Sequence, residues 1–241
     1  GQDLNGTNPG AGARPYTDYA AGDACTHGNC DRRAAYLQSA TDLLVSDLTE
    51  MVDNWDEDGA ARAAVLADPQ KGILAALTGM GSLSYGELGG ERMKLGLMLN
   101  DPEEEHDCFS DNTHNSHYYD GLGIQNVYLG QYTRVDGSVL QGPALADLVA
   151  AADPAVDTQL KAELDASVTA LKAVKDAGDA GKTYDTLIAP GNAEGEALIM
   201  GAVNALVTQT ASIDRAVTAL GLSKVEFEGS QSLDNPNAVF Q

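Results

Sequence analysis

The chain has 241 residues, 14 of them Lys or Arg and 36 Asp or Glu, for a formal net charge of −22. A field of that sign repels phosphate backbones and anionic lipid heads, which argues against a nucleic-acid partner or a polybasic membrane role. At 43% hydrophobic and 21% charged residues the composition is that of a globular chain. No uninterrupted apolar run of about 18 residues exists to form a transmembrane segment.

The opening stretch, Gly1 to Pro15, is rich in Gly, Asn and Pro and reads as loop. It has no charged or apolar leader regions, so any signal peptide is expected to be gone already. Cys25 and Cys30 bracket a short loop, CTHGNC, which permits a small disulfide ring or half a metal knuckle. The disulfide is favoured, because a zinc knuckle needs a second Cys/His pair nearby and only Cys108 remains. Such a bond implies an oxidising compartment, and Cys108 reads as a buried thiol.

From Asp31 to Trp55, Leu37, Thr41, Leu44, Leu48, Met51 and Trp55 recur at spacings of three and four, the stripe of an amphipathic helix. A second helical pattern covers 69–99, interrupted by Gly79, Gly81, Gly86, Gly89 and Gly90. Each interior glycine costs about 1 kcal/mol relative to Ala, so this helix is either broken or pressed against something through its backbone. Short helices are expected at 117–131 and 143–152. Asp153–Pro154 caps a helix that runs to Gly178, and a further helix runs from Asn192 to Leu220, closed by Gly221. No convincing hairpin pattern occurs, so the expected fold is all-α. A faint internal echo suggests two helical bundles: 1–100, short of helices and with an N-terminal loop, and 101–241.

Chemistry concentrates in two places. Three of the four histidines, His106, His114 and His117, lie in EEEHDCFSDNTHNSHYYDG with Glu103, Glu104, Glu105, Asp107, Asp111 and Asp120. Imidazoles and carboxylates together suit iron or zinc, and His114 and His117 at i, i+3 share a helical face. No HExxH or zinc-finger spacing is present, and an acidic loop with an N-cap at Ser110, Asp111 or Asn112 explains much of the pattern. The glycine-rich segment carries Glu87 and Glu91 at i, i+4, with Arg92 adjacent. GxSxG, Walker and GxGxxG motifs are absent, so the residues alone name no catalytic group.

The runs CFSDNTHNSHYYDGLGIQNVYLGQY, LSYGELGGERM and CDRRAAYL resemble the imelysin family, more closely its iron-regulated protein A branch. The resemblance implies two helical bundles and a periplasmic or outer-membrane-associated protein of bacterial iron uptake. It would bind iron, a haem-like ligand or an outer-membrane partner at a cleft between the bundles. It equally admits a metal-dependent peptidase or a non-catalytic scaffold for an outer-membrane receptor. The family's GxHxxE motif is absent and is expected upstream of this chain. Its register recurs as Gly123-Ile124-Gln125-Asn126-Val127-Tyr128, with Gln and Tyr in place of His and Glu. By resemblance, Glu91, Arg92, Ser110, Asp111, Asn112 and His114 line a ligand site, with His114 and His117 as expected metal ligands. Arg92 would neutralise or orient an anionic group, and His114 would carry a proton or ligate.

Overall fold

The computed structural model describes residues 15–240, so most of the glycine-rich opening lies outside the described residues. The chain forms two compact units, Gly1–Gly72 and Ile73–Gln241. Residues 73–100, expected in the first bundle, therefore pack within the second unit.

In the first unit, two 3-10 turns lead into α1 (Cys30–Trp55), followed by α2 (Ala60–Ala67), which the apolar pattern had not announced. The entry to α1 is tied by side chains. Cys25 and Cys30 form a disulfide, which excludes the knuckle. Buried Asp18 accepts from Thr26 Oγ1 at 2.6 Å, His27 Nδ1 stands 2.5 Å from the same carboxylate oxygen, and Arg33 Nε donates to the Asp18 carbonyl at 2.9 Å.

The second unit begins within α3 (Pro69–Ser82), which runs without a break into a π-helix (Leu83–Lys94) and α4 (Leu95–Leu99). After an acidic loop come α5 (Thr113–Leu129), α6 (Leu145–Ala152), α7 (Pro154–Asp179), α8 (Tyr184–Leu187), α9 (Ala193–Ala219) and α10 (Gln231–Asp234). The fold is all-α apart from one small hairpin: β1 (Gln131–Thr133) pairs antiparallel with β2 (Val139–Gln141). Its turn at Asp136-Gly137 is a hairpin signal, with Gly137 at φ 82°. Three-residue strands are too short to show an alternating pattern, so the sequence reading missed it.

The capping chemistry follows the sequence. Asp153 accepts from the backbone N–H groups of Ala155 and Val156 at 2.9 and 3.2 Å, with Pro154 at the first position. Asn192 caps α9 through the Gly195 N–H at 2.9 Å.

Helix α3, the π-helix, α5, α7, α8 and α9 carry two apolar clusters. One holds Met80, Tyr128, Leu164 and Ile213; the other holds Leu88, Leu171, Tyr184 and Leu206. Between them lies a buried polar layer in which Gln209 accepts from Ser167 Oγ at 2.5 Å and donates to Ser84 Oγ at 2.8 Å. The glycines have a partner as well. A Cβ at Gly86 would lie 2.4 Å from the Glu228 carbonyl oxygen, and one at Gly90 would lie 2.2 Å from Ser230 Cβ. The C-terminal segment thus lies directly on the π-helix backbone, where Ser232 Oγ donates to the Gly90 carbonyl at 2.9 Å.

Candidate functional site

The widened π turn changes which charges meet. With i→i+5 bonding, shown by Leu95 N–H on the Gly90 carbonyl, residues five apart come within reach. Arg92 pairs with Glu87, at 2.9 Å from Nε and 2.7 Å from a terminal guanidinium nitrogen. Glu91, expected beside Glu87, makes no ion pair among the described residues.

The acidic loop folds back on the start of α5. Thr113, fully buried, accepts from the Asp107 N–H at 3.0 Å and donates to Glu105 Oε2 at 3.0 Å. Ser116 donates to Asp107 Oδ2. Asn112 occupies the N-cap position, but its side chain caps nothing and instead accepts from Asn115 Nδ2 at 2.9 Å. Ser110 is exposed and donates weakly to the Asp107 carbonyl at 3.3 Å. Asp111 adopts φ 57°, in the left-handed region, which turns the chain into α5.

Burial then dictates the electrostatics. Glu105 is 5% exposed, and burial pushes its carboxyl up to about 7, with Asp185, Asp111 and Asp107 adding repulsion against the Thr113 hydrogen bond. Asp111 is raised by burial and by Asp185. His117 is fully buried on α5, edge-on to Tyr184 with ring centroids 4.8 Å apart and 6.0 Å from the His106 ring. Burial, helped by the charges of His106, Arg92 and His114, holds it neutral down to about 3. His106 Nδ1 faces Asp120 Oδ2 at 3.7 Å. His114 is 7% exposed, with Nε2 at 3.1 Å from Asn115 Nδ2 and 3.4 Å from Asp179 Oδ1. Its ring lies against α7 because residue 178 is glycine: a Cβ there would fall 2.3 Å from His114 Cγ.

One property sets this region apart. Six buried side-chain polar atoms lack a hydrogen-bond partner among the described residues, and five belong to 105–117: Glu105 Oε1, Asp111 Oδ1, His114 Nδ1 and both ring nitrogens of His117. Native interiors rarely leave such groups bare, and clusters of them mark strain or a working site.

The expected residues therefore separate. Asp111, His114 and His117 join the buried group, whereas Ser110 and Asn112 stay outside it. The sequence reading did not select Glu105, Thr113 or Tyr184 for the site. Glu105 is one of three consecutive glutamates, and Tyr184 comes from a distant helix. No group of three His, Cys, Asp or Glu side chains converges to hold a metal ion among the described residues. His114 and His117 therefore gain no third protein ligand, and a bare iron or zinc ion does not fit this donor set. Cys108 is a free thiol of intermediate exposure, not the buried one expected. The GxHxxE-like register is structural: Gln125 Nε2 donates to Asp165 at 2.6 Å, and Tyr128 donates to Asp157 at 3.0 Å.

The family model for imelysin, labelled as a peptidase family, matches residues 1–213. The chain belongs to the imelysin family. A comparison with curated proteins finds no match. As an imelysin-family chain, it carries the SDNTH motif where the loop turns into α5, directly against the bare carboxyl and imidazole atoms.

Proposed function

We propose that this imelysin-family chain is an exported binding protein of bacterial iron acquisition, and that 105–117 takes its ligand. The observation that carries the reading is the set of five buried polar atoms without partners in that segment. A protonated carboxyl at Glu105 donates, the neutral ring of His117 offers one donor and one acceptor, and His114 offers its bare Nδ1. A site with one or two nitrogen donors and no third protein ligand suits iron that arrives already held by an organic chelator or a haem-like ring. In that form the cargo completes its own coordination. The Cys25–Cys30 disulfide supports an oxidising compartment, periplasmic or outer-membrane-associated. No helix among the described residues is long and apolar enough to cross a membrane.

The test is equilibrium retention of haemin, ferric citrate and free zinc by the purified chain. One-to-one retention of an iron complex, weakened about ten-fold in His114→Ala with unchanged helical signal, is the expected result; ten-fold corresponds to about 1.4 kcal/mol. Retention unaffected by that substitution, or none, overturns the reading.

The family's peptidase label keeps a second reading alive, and one observation favours it. Glu105, pushed to about 7, is tuned for proton transfer near neutrality. Cleavage of a denatured substrate, lost in Glu105→Gln, would support it. Neither retention nor cleavage would leave a scaffold for an outer-membrane receptor.

A further inference from the structure

Every bare polar atom of the 105–117 group is shut off from solvent, and His117 is fully buried. A ligand meets them only if something that covers them moves. Helices α7 and α9 carry the apolar clusters and hold the bundle together. The connection between α4 and α5 is fixed differently. Among the described residues no backbone–backbone hydrogen bond ties 102–110 to a neighbouring helix. Side chains do the fastening: Thr113 holds Glu105 and the Asp107 N–H, Ser116 holds Asp107, and His106 faces Asp120. The His106 ring also stands 6.0 Å from the buried ring of His117.

Both ends of the connection turn through the left-handed region, Asn100 after α4 at φ 51° and Asp111 before α5 at φ 57°. Asn and Asp enter and leave that region more readily than other residues with a Cβ, which suits them to a hinge. The Asn100 side chain donates to the Ile188 carbonyl at 2.7 Å, which anchors the α4 end while the rest can swing.

The charges around the closed connection are of one sign. Facing Glu105 are Asp107, Asp111 and Cys108 of the connection, Thr113 of α5, and Tyr184 and Asp185 of α8. None of these is cationic. Burial keeps Glu105 protonated up to about 7. Once ionised, it is a buried carboxylate facing those of Asp107, Asp111 and Asp185, with no positive partner to offset the loss of water.

We propose that residues 101–110 form a lid over the ligand atoms, hinged at Asn100 and Asp111 and latched to α5 through Thr113. The lid regulates the ligand site proposed above and rests on that reading. Loss of the Glu105 proton loosens the latch, so the site is shut in mildly acidic solution and opens as the pH passes 7.

Access to His117 tests this without any ligand. Diethyl pyrocarbonate modifies an imidazole that it can reach, and peptide mass spectrometry reads the rate at each histidine. At pH 8 His117 of the parent should react about ten-fold faster than that of Glu105→Gln, which cannot ionise, and the gap should close by pH 6. Thr113→Val keeps the shape of the side chain without its hydroxyl and should raise the rate about ten-fold at pH 6, the worth of one hydrogen bond. Amide exchange in α9 should be the same in all three, which separates lid opening from unfolding. The inference is overturned if parent and Glu105→Gln react alike at pH 8, or if His117 reacts only as fast as α9 exchanges. Opening without retention of an iron complex keeps the lid and removes the ligand reading. Retention with a His117 that is reached only by unfolding does the reverse.

Discussion

Glu105 and His117 lie within the same buried group but respond to pH in opposite senses. Glu105 has its ordinary value of 4.5 raised to about 7 by burial, so the folded chain keeps a proton that the unfolded chain releases. Its contribution is greatest below pH 4.5 and is lost as pH rises towards 7. His117, lowered from 6.5 to about 3 by burial, refuses a proton that the unfolded chain accepts. Its contribution is full above pH 6.5 and is lost as pH falls towards 3. The two slopes cancel across the window they share, and single substitutions should unmask them. The stability gained by Glu105→Gln over the parent should be near zero at pH 4 and grow up to pH 7. That of His117→Asn should grow as pH falls below 6.5. Urea denaturation at a series of pH values from 4 to 8 checks both, and parallel curves for parent and Glu105→Gln would show that Glu105 is not held protonated. A third residue-scale outcome concerns Gly178. Alanine there drives a methyl group into the His114 ring, so Gly178→Ala should displace His114 and weaken ligand retention as much as His114→Ala does.

At the scale of the helices, the buried layer of Ser84, Ser167 and Gln209 separates the two apolar clusters. On the π-helix Ser84 falls between Met80 and Leu88, on α7 Ser167 falls between Leu164 and Leu171, and on α9 Gln209 falls between Leu206 and Ile213. Each polar side chain therefore sits at the same level of the bundle, and a slip of α9 would break both hydrogen bonds of Gln209 at once, a slip of either neighbour one. Both serines also donate to backbone carbonyls of their own helices, to Met80 and Leu164, so removing the amide does not leave their protons bare. Gln209→Leu should therefore cost about 1–2 kcal/mol, the low end for disrupting a buried network. Ser84→Ala and Ser167→Ala added to it should recover most of that loss, because an apolar layer has nothing left unsatisfied. Urea midpoints of the single and triple variants decide it; a triple variant weaker than Gln209→Leu would mean that the layer contributes net stability beyond register. The same helices show what sequence makes legible. Stripes at three and four, an Asp-Pro start and an Asn cap are local, and they located α1, α7 and α9 to within one or two residues. The π-helix is not local: residues 228–230 lie against its Gly86 and Gly90 from more than a hundred positions away. Periodicity could flag those glycines as anomalous but could not say what touches them, nor that Arg92 would pair with Glu87. The site was half legible for the same reason. SDNTH drew attention to the turn into α5, whereas which of three glutamates is buried depends on Thr113 and on the distant Asp185.

For the whole molecule, the imbalance of 36 acidic against 14 basic residues sets how stability responds to salt. Favourable pairs exist, chiefly along α7, where Lys161, Lys172 and Lys175 meet Asp157, Asp176 and Asp179 four residues on or back. Pairs of this helical kind contribute about 0.3–0.5 kcal/mol each at best, and salt weakens them. Unpaired carboxylates outnumber such pairs, and their mutual repulsion acts over the Debye length, about 10 Å at 0.1 M salt and about 3 Å at 1 M. Repulsion should win, so added sodium chloride should stabilise the fold. The thermal midpoint is expected to rise between about 0.02 and 0.5 M salt, and each 1 kcal/mol gained would read as about 2–4 °C for a chain of this size. The ion pairs on α7 predict the reverse. A midpoint that falls with salt would show that these pairs, and not the net charge of −22, dominate the electrostatics of folding. A midpoint that rises would show that repulsion outweighs them, since salt screens both and only the relief of repulsion favours the compact state.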